Sequence, residues 1–320
     1  MLSYAIRQGM GQFRIINQAK PIEFYLKDPN FPDSLKQKLQ FIQVVRTYAI
    51  DSLGLQDTDN YKTMFDQQGE EIMWVVTAAP EFRLEPYEWN FPILGSVPYK
   101  GFFEKEAAIT LAKELKDEGY DVNIRNPGAW STLGWFTDPI LSGMLDREAG
   151  DLASLIIHEM SHATIFVKDS VEFNENLASF IGDRGAEKFL IDTYGIDSEP
   201  YKIFKGQDQD YVRVVDHMLR GAGALDQLYK SFDDQVPYEE KLRLKNNMIA
   251  EIVNALDTLS MSSYDNLTAR LRENPPNNSY MMSFLLYQSQ QYSFNQEFAD
   301  RFNNDLKAYI RYLKTNFPLL

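Results

Sequence analysis

The 320-residue chain contains no cysteine, which excludes disulfides, thiolate zinc sites and thiol nucleophiles. Histidine is also scarce, since the whole chain holds three. No run of apolar residues approaches the length of about 18 that is typical of a transmembrane helix, so no membrane-spanning segment is predicted. Any metal bound by this chain must therefore use imidazole and carboxylate ligands.

Positive charge is in deficit, with 32 lysines and arginines against 46 aspartates and glutamates and a net charge of −14. Such a negative field repels phosphate backbones, so nucleic acid is not a predicted partner. The hydrophobic fraction of 44% and the aromatic fraction of 13% are those of an ordinary globular protein. A folded protein with a packed core is therefore expected.

The spacing of apolar residues predicts a single catalytic unit over residues 1–320, made of three stretches: a helical N-terminal segment (1–70), a small α/β sheet region (71–145) and a helical region (146–320). The middle stretch is predicted to hold strands around residues 72–79, 120–126 and 129–136 and a helix over 104–120. Strands that precede helices in this way predict an α+β fold, with a small N-terminal mixed sheet followed by a mainly helical region.

The segment HEMSH, residues 158–162, places two of the three histidines four apart in a predicted helix. Side chains four apart lie on one face with Cβ atoms about 5 to 6 Å apart, from which two imidazoles can bind one zinc ion. Glu159 stands where a carboxylate can take the proton of a metal-bound water. The pattern predicts hydrolysis with one Zn²⁺ per chain, His158 and His162 as ligands and Glu159 as the general base. A chance occurrence of this short motif is the alternative.

Glu175, in the segment FNENLASF, is the predicted third ligand, because a catalytic zinc takes three protein ligands. It lies in a stripe of small residues that allows close helix packing, formed by Ala178, Ser179, Gly182 and Ala186. A buried carboxylate needs a cation, and the alternative to zinc is a salt bridge to Arg184 or another basic residue. Glu172 is the other carboxylate nearby, but with Asp169 it can form a capping box for a helix that begins near Ser170.

HEMSH followed by FNENLASF resembles the gluzincin metallopeptidases, in which the His-Glu-x-x-His motif is completed by a Glu of an Asn-Glu-x-x-Ala motif on the next helix. The segments GSVPYKGFF, STLGWF and FNENLASFIGD further resemble a bacterial family of predicted aminopeptidases, over most of the chain. The resemblance implies a zincin-like catalytic region, a peptide or protein substrate, and zinc held by His158, His162 and Glu175. Because members of that family commonly begin with a lipoprotein signal or membrane anchor, it also implies a place in the cell envelope.

The chain departs from the better-known gluzincins in three ways. The connector of 12 residues between His162 and Glu175 is short, and Ser179 stands where thermolysin-like enzymes carry an Asp that orients a histidine. The glycine-alanine-methionine-glutamate-asparagine signature of membrane-alanyl aminopeptidases is also missing. An endopeptidase, or a non-catalytic envelope module with a structural zinc, therefore stays an alternative to an aminopeptidase.

Substrate contacts are predicted at an edge strand, STLGWFTDPI, where Gly134 would allow close backbone approach and Phe136 could line a pocket. Asp138 or Glu172 could bind the α-ammonium group of an aminopeptidase substrate. Tyr287, in a late predicted helix that also carries Tyr280, is the predicted stabiliser of the oxyanion. The remaining histidine, His217, is expected at the surface or in helix packing.

Overall fold

The computed structural model describes residues 2–91, 95–127, 137–168, 170–261, 263–264 and 266–317. The chain forms two compact units, of which the first comprises Met1–Met73, Asn126–Phe204 and Gln290–Leu320 and the second Trp74–Arg125 and Lys205–Ser289. Among the described residues, no helix combines the length and the apolar character that a membrane crossing requires. The predicted α+β class is confirmed, because helices dominate and accompany small sheets. That residues 1–320 act as one catalytic unit stays a prediction.

The first unit is mainly helical. Its elements are α1 (Leu2–Gln18), β1 (Lys20–Pro21), α2 (Ile22–Lys27), α3 (Asp33–Tyr48), a π-helical turn (Ala49–Leu53), β2 (Thr63–Phe65), β8 (Ile140–Leu141), a 3-10 turn (Ser142–Asp146), α5 (Ala149–His162), α6 (Val171–Tyr194), α11 (Gln291–Phe302) and α12 (Leu306–Asn316). Within the predicted helical N-terminal segment, α3 begins at Asp33, and the π-helical turn that continues it ends at Gly54, whose φ of 83° is left-handed.

A small mixed sheet in this unit joins segments that are far apart in sequence. β2 pairs antiparallel with β1, where Met64 faces Lys20, and parallel with β8, where Met64 faces Ile140. Met64 and Ile140 are fully buried. The sequence did not predict this sheet, because strands of two or three residues are too short to show an alternating pattern. The sheet holds the chain that immediately precedes α5 against the N-terminal third.

The second unit contains the sheet that the sequence predicted, together with most of α7. Its elements are β3 (Trp74–Pro80), β4 (Trp89–Phe91), β5 (Gly95–Val97), β6 (Lys100–Phe102), α4 (Lys105–Asp117), β7 (Tyr120–Arg125), α7 (Glu199–Lys230, which begins in the first unit), α8 (Tyr238–Ala255), α9 (Leu267–Glu273) and α10 (Asn278–Gln288). The strands run antiparallel in the order β6-β3-β7, and β4 pairs with β5. The predicted strand over 129–136 lies outside the described residues.

The helical part of the second unit packs around a core of its own. Fully or nearly fully buried side chains from α7, α8, the 3-10 turn that follows α8 (Leu256–Thr258) and α10 meet there, among them Met218, Leu225, Ile252, Leu256 and Met281. Asn278, at the start of α10, is fully buried, and its amide nitrogen donates to the backbone oxygens of Pro80 and Glu81 at 2.9 Å. These bonds tie α10 to the end of β3 and satisfy the buried Asn278 amide.

The helices α5 and α6 pack closely against each other in the first unit. A Cβ atom at Gly182 would lie 2.8 Å from the backbone oxygen of Ser154 and 3.1 Å from the His158 Cβ. At Gly185 it would lie 2.9 Å from a methyl carbon of Ile157. The predicted close approach of the small-residue face is thereby confirmed at Gly182. Because the contact at Gly182 is with backbone, a larger residue there must push the two helices apart.

Gly182→Ala is expected to lower the melting temperature, because overpacking against a helix backbone costs about 1 to 3 kcal/mol. Gly223→Ala is the matched control, since Gly223 lies in α7 and a Cβ atom added there would meet nothing within 4 Å. That control should be neutral or stabilising by up to about 1 kcal/mol through helix propensity. Scanning calorimetry measures both variants, and equal melting temperatures would contradict the packing described for α5 and α6.

Candidate metal centre

The last turn of α5 carries the histidine pair. Leu152, Ile156 and Met160 are buried and fix one face of the helix in the core, so His158 and His162 project together from a neighbouring face. The two rings meet edge to face, with centroids 4.8 Å apart. Their Nε2 atoms are 3.2 Å apart and therefore point to a common position.

Glu175 reaches the same position from the second turn of α6. Its Oε2 lies 3.5 Å from the Nε2 of His158 and 3.7 Å from the Nε2 of His162. One ligand atom from each of the three residues lies within 4.8 Å of the others. The structure thus brings together the three residues that the sequence predicted as ligands.

The distances among these atoms fit a tetrahedral zinc ion. With metal–ligand bonds of about 2.0 to 2.1 Å, the ligands of such a site are about 3.3 Å from one another. The observed separations of 3.2, 3.5 and 3.7 Å are close to that value. Two imidazoles and one carboxylate are also a donor set typical of catalytic zinc, which keeps a fourth position open. The residues present therefore fit one zinc ion.

Without a metal, Glu175 and His162 form an ion pair. Burial raises the pKa of Glu175, but the neighbouring charges and hydrogen bonds of His162 and His158 outweigh burial and hold this pKa far below its usual range. Burial lowers the pKa of His162, but the Glu175 carboxylate outweighs burial and raises it above the ordinary value. A proton between imidazole and carboxylate is thus the competitor that a metal ion must displace.

Glu159 lies on α5 between the two histidines and faces the protein interior. It is 8% exposed, and its Oε2 is buried without a hydrogen-bond partner among the described residues. Burial is the main cause that raises the pKa of Glu159, and the Glu175 carboxylate raises it further, against the opposing effect of His158 and His162. A carboxyl whose pKa is shifted toward neutrality suits proton transfer near neutral pH.

The short connector between α5 and α6 is held by Asn174, a role that the sequence analysis missed. The Asn174 side chain accepts a bond from the Val167 N–H at 2.8 Å and donates to the Val167 carbonyl at 2.7 Å. Asn176 is fully buried, and its Oδ1 accepts a bond from the Gln290 N–H at 3.0 Å. The two amides flank Glu175 and fix α6 at the turn that carries the ligand. The short connector is the sequence signal that could have indicated the role of Asn174, because backbone groups outside helices and strands need side-chain partners when they are buried.

Both the alternative ligand, Glu172, and the alternative cation for Glu175, Arg184, have other partners. Glu172 is exposed, and its Oε1 accepts a hydrogen bond from the Gln290 amide at 3.1 Å. Arg184 pairs with Glu187 at 2.8 Å. The helix α6 begins at Val171 with Ser170 as its N-cap, close to the predicted start, whereas Asp169 of the predicted capping box lies outside the described residues.

Of the three predicted substrate residues, only Asp138 lies in the described part of the chain. Gly134 and Phe136 lie outside the described residues. Asp138 is fully buried, and its N–H donates to the Asn60 side chain at 2.9 Å. Its proposed contact with a substrate ammonium group stays a prediction.

Tyr287 belongs to the second unit, where its hydroxyl accepts a hydrogen bond from Arg125 at 2.9 Å. Its role toward an oxyanion stays a prediction.

His217 also lies in the second unit, partly buried, with its Nε2 2.7 Å from the Ile252 carbonyl oxygen. This contact between α7 and α8 agrees with the packing role expected for the third histidine.

Comparison with known proteins identifies the family. Residues 3–316 match the family model named Aminopep, described as "Putative aminopeptidase". The chain belongs to the Aminopep family. No curated protein and no solved structure matches the chain. The match covers nearly the whole sequence, so the histidine pair, Glu159 and Glu175 all lie inside the Aminopep region.

Glu175→Ala in this Aminopep protein should lose bound zinc, because a site with two remaining ligands holds the ion far more weakly. Glu172→Ala is the matched control, since it removes a carboxylate from the same helix turn that is exposed and bonded to Gln290. Metal content after dialysis, measured by mass spectrometry, separates the two variants. A metal-free Glu172→Ala protein beside a zinc-loaded Glu175→Ala protein would show that the third ligand is misassigned.

Zinc affinity should rise with pH. Because the pKa of His162 is raised in the metal-free protein, its imidazole is protonated below and somewhat above its ordinary pKa of about 6.5. Zinc needs the neutral ring, so affinity should rise about tenfold per pH unit for each proton released and should keep rising past pH 6.5. Competition with a chromophoric chelator measures this dependence. An affinity that stops rising at or below pH 6.5 would contradict the ion pair described here.

Proposed function

We propose that the chain is a zinc-dependent metallopeptidase of gluzincin type that acts as an aminopeptidase. The observation that carries the proposal is the convergence of two imidazole nitrogens and one carboxylate oxygen, 3.2 to 3.7 Å apart, beside the buried carboxylate of Glu159. The description of the Aminopep family names the same class of reaction. His158, His162 and Glu175 would hold the metal.

A zinc ion held there would act as a Lewis acid on the scissile carbonyl and lower the pKa of a water from nearly 16 to about 7. The chain's own contribution is to place a base beside that ion. Glu159 lies one residue from His158, and its unpartnered Oε2 is available to accept a proton and to return it to the leaving amine. Burial raises the pKa of Glu159, so its carboxylate is a stronger base near neutral pH than that of an exposed glutamate.

The packing of α5 on α6 supports catalysis because it fixes the ligands before the metal arrives. Gly182 brings the two backbones together at the level of His158, and Asn174 fixes the start of α6. Preformed sites bind metals without the entropic cost of ordering loops. A site with three protein ligands and an open position favours an enzyme over a purely structural zinc, which is normally closed by four ligands.

Glu159→Gln should keep its zinc and lose activity by about 10²- to 10⁴-fold, because the amide cannot accept the proton. Glu148→Gln is the control, since Glu148 is an exposed residue at the N-terminus of the same helix and its loss removes the same charge. Activity on unblocked peptides and zinc content are measured together. Full activity in zinc-loaded Glu159→Gln would overturn the mechanism, and zinc binding without peptidase activity in the wild type would indicate a structural zinc module.

Free peptides should be shortened from their N-termini, and N-acetylated copies of the same peptides should be spared. The reason is that an aminopeptidase binds the free α-ammonium group, which acetylation removes along with its charge. Mass spectrometry of digests of a peptide library, with and without a chelator, measures both the position of cleavage and its dependence on metal. Equal cleavage of both sets at internal bonds would assign the protein as an endopeptidase.

A further inference from the structure

Asn176 follows the ligand Glu175 on α6 and is fully buried, which is uncommon for a side-chain amide. Its Nδ2 donates to the backbone carbonyl of Glu172 at 2.9 Å, and its Oδ1 accepts a bond from the Gln290 N–H at 3.0 Å. Its backbone carbonyl accepts a further bond from the Gln291 side chain at 2.8 Å. A buried amide without partners is costly, so these bonds hold Asn176 in one orientation.

The start of α11 supplies two of these bonds, although it is far from α6 in sequence. Gln290 is the N-cap residue of α11, and its side chain donates to the Glu172 carboxylate at 3.1 Å. Farther along the two helices, Phe298 of α11 meets Phe180 of α6 edge to face, with ring centroids 5.5 Å apart. The two helices therefore contact each other both at the turn that carries the third ligand and beyond it.

The bonds of Asn176 complement those of Asn174 on the other flank of Glu175. Successive residues of an α-helix are rotated by about 100° around its axis, so the two amides lie on opposite sides of the ligand. Asn174 is bonded to Val167 in the connector from α5, and Asn176 is bonded to the start of α11. A rotation of α6 about its axis would break bonds on both flanks. The bonds therefore fix this rotation at the level of the ligand.

Rotation of α6 matters because it moves the ligand atom directly. With side chains an α-helix is about 10 to 12 Å across, so the Glu175 carboxylate lies about 5 to 6 Å from the axis, and a turn of about 10° displaces it by about 1 Å. Metal and catalytic sites tolerate displacements of only about 0.2 to 0.5 Å. Gly182 sets how closely α6 approaches α5, but a glycine has no side chain that could resist rotation. The flanking amides supply that constraint.

We propose that Asn176 is a positioning residue for the ligand Glu175. Bound to the start of α11, it fixes the rotation of α6 that directs the carboxylate toward the histidine pair, and it thereby sets zinc affinity. Asn176 acts through Glu175 and is not itself a ligand. The inference rests on the proposed function, since it assigns a supporting residue to the zinc site of that function. It adds α11 to the parts of the fold that determine how tightly zinc is held.

The first test compares zinc affinity with stability. Asn176→Leu keeps nearly the same volume but removes the amide, and its dissociation constant for zinc should rise about 10- to 100-fold, the usual effect of losing a partner that orients a ligand. Phe298→Leu is the matched control, because it loosens the contact of α11 with Phe180 and leaves the bonds of Asn176 in place. It should lower the melting temperature of the zinc-free protein and leave zinc affinity unchanged. Competition with a chromophoric chelator measures affinity, and scanning calorimetry measures melting.

A second variant addresses the same link from α11. Gln291→Met is close in shape to the wild type at a half-buried position, so the fold is preserved, but the bond to the Asn176 carbonyl is lost. Its dissociation constant for zinc should rise by a smaller factor, about two- to tenfold. Cobalt(II) bound in place of zinc reports on geometry, since its visible absorption depends on the arrangement of the ligands. The cobalt spectrum should change in Asn176→Leu and stay that of the wild type in Phe298→Leu.

Unchanged zinc affinity in folded Asn176→Leu would overturn the inference, even if the protein melts at a lower temperature. Equal losses of affinity in Asn176→Leu and Phe298→Leu would also overturn it, because any loosening of α11 would then suffice. If Asn176→Leu does not fold, Gln291→Met decides, and an unchanged affinity there overturns the inference. A wild type that binds no zinc would overturn the proposed function and the inference with it. The two failures are distinct, since the latter is already visible in the wild type.

Discussion

The close approach of α5 and α6 is the constraint on which the metal centre depends. Two ligands lie on one helix and the third on the other, so the three atoms can converge only if the helix backbones nearly touch. Gly182 makes this possible at the level of His158, and Ile157 fills the corresponding space beside Gly185. The Asn174 bonds to Val167 then set where α6 begins. Packing, connector and ligand geometry are therefore parts of one arrangement.

The same arrangement explains the electrostatics of the site. Ionisable groups buried together would be unstable if all carried the same charge or if one stood alone. The Glu175 carboxylate is paired with the histidines, whereas Glu159 is left with a raised pKa and an unpartnered oxygen. One carboxylate is thereby suited to bind a cation and the other to carry a proton. This separation of roles follows from position on the two helices, not from residue type.

Much of the candidate site could be predicted from the sequence because its ligands obey helical periodicity. His158 and His162 are spaced one turn apart, and Glu175 lies on a face of small residues that indicates close packing. The bond between Gln290 and Asn176, next to the ligand Glu175, could not be predicted in this way, because the two residues are 114 positions apart and only the fold brings them together. The sheet of β1, β2 and β8 was not predicted because its strands are too short to alternate.

The fold was predictable to a similar degree. Elements such as β3, α4 and β7 were predicted near their observed positions, because each shows several repeats of its period. The division into two units was not, because each unit is assembled from separate stretches of the chain. The order of elements along the sequence does not indicate that β3 to β7 share a unit with α8 and α10.

The most direct test of the account is X-ray absorption spectroscopy at the zinc edge on the purified protein, wild type and Glu175→Ala. The wild type should show two imidazole ligands and light oxygen or nitrogen scatterers at about 2.0 to 2.1 Å around one zinc per chain. Glu175→Ala should lose the ion and with it the zinc absorption edge. A wild-type spectrum without histidine scattering, or a protein that binds no zinc when saturated with it, would contradict the proposed metal centre.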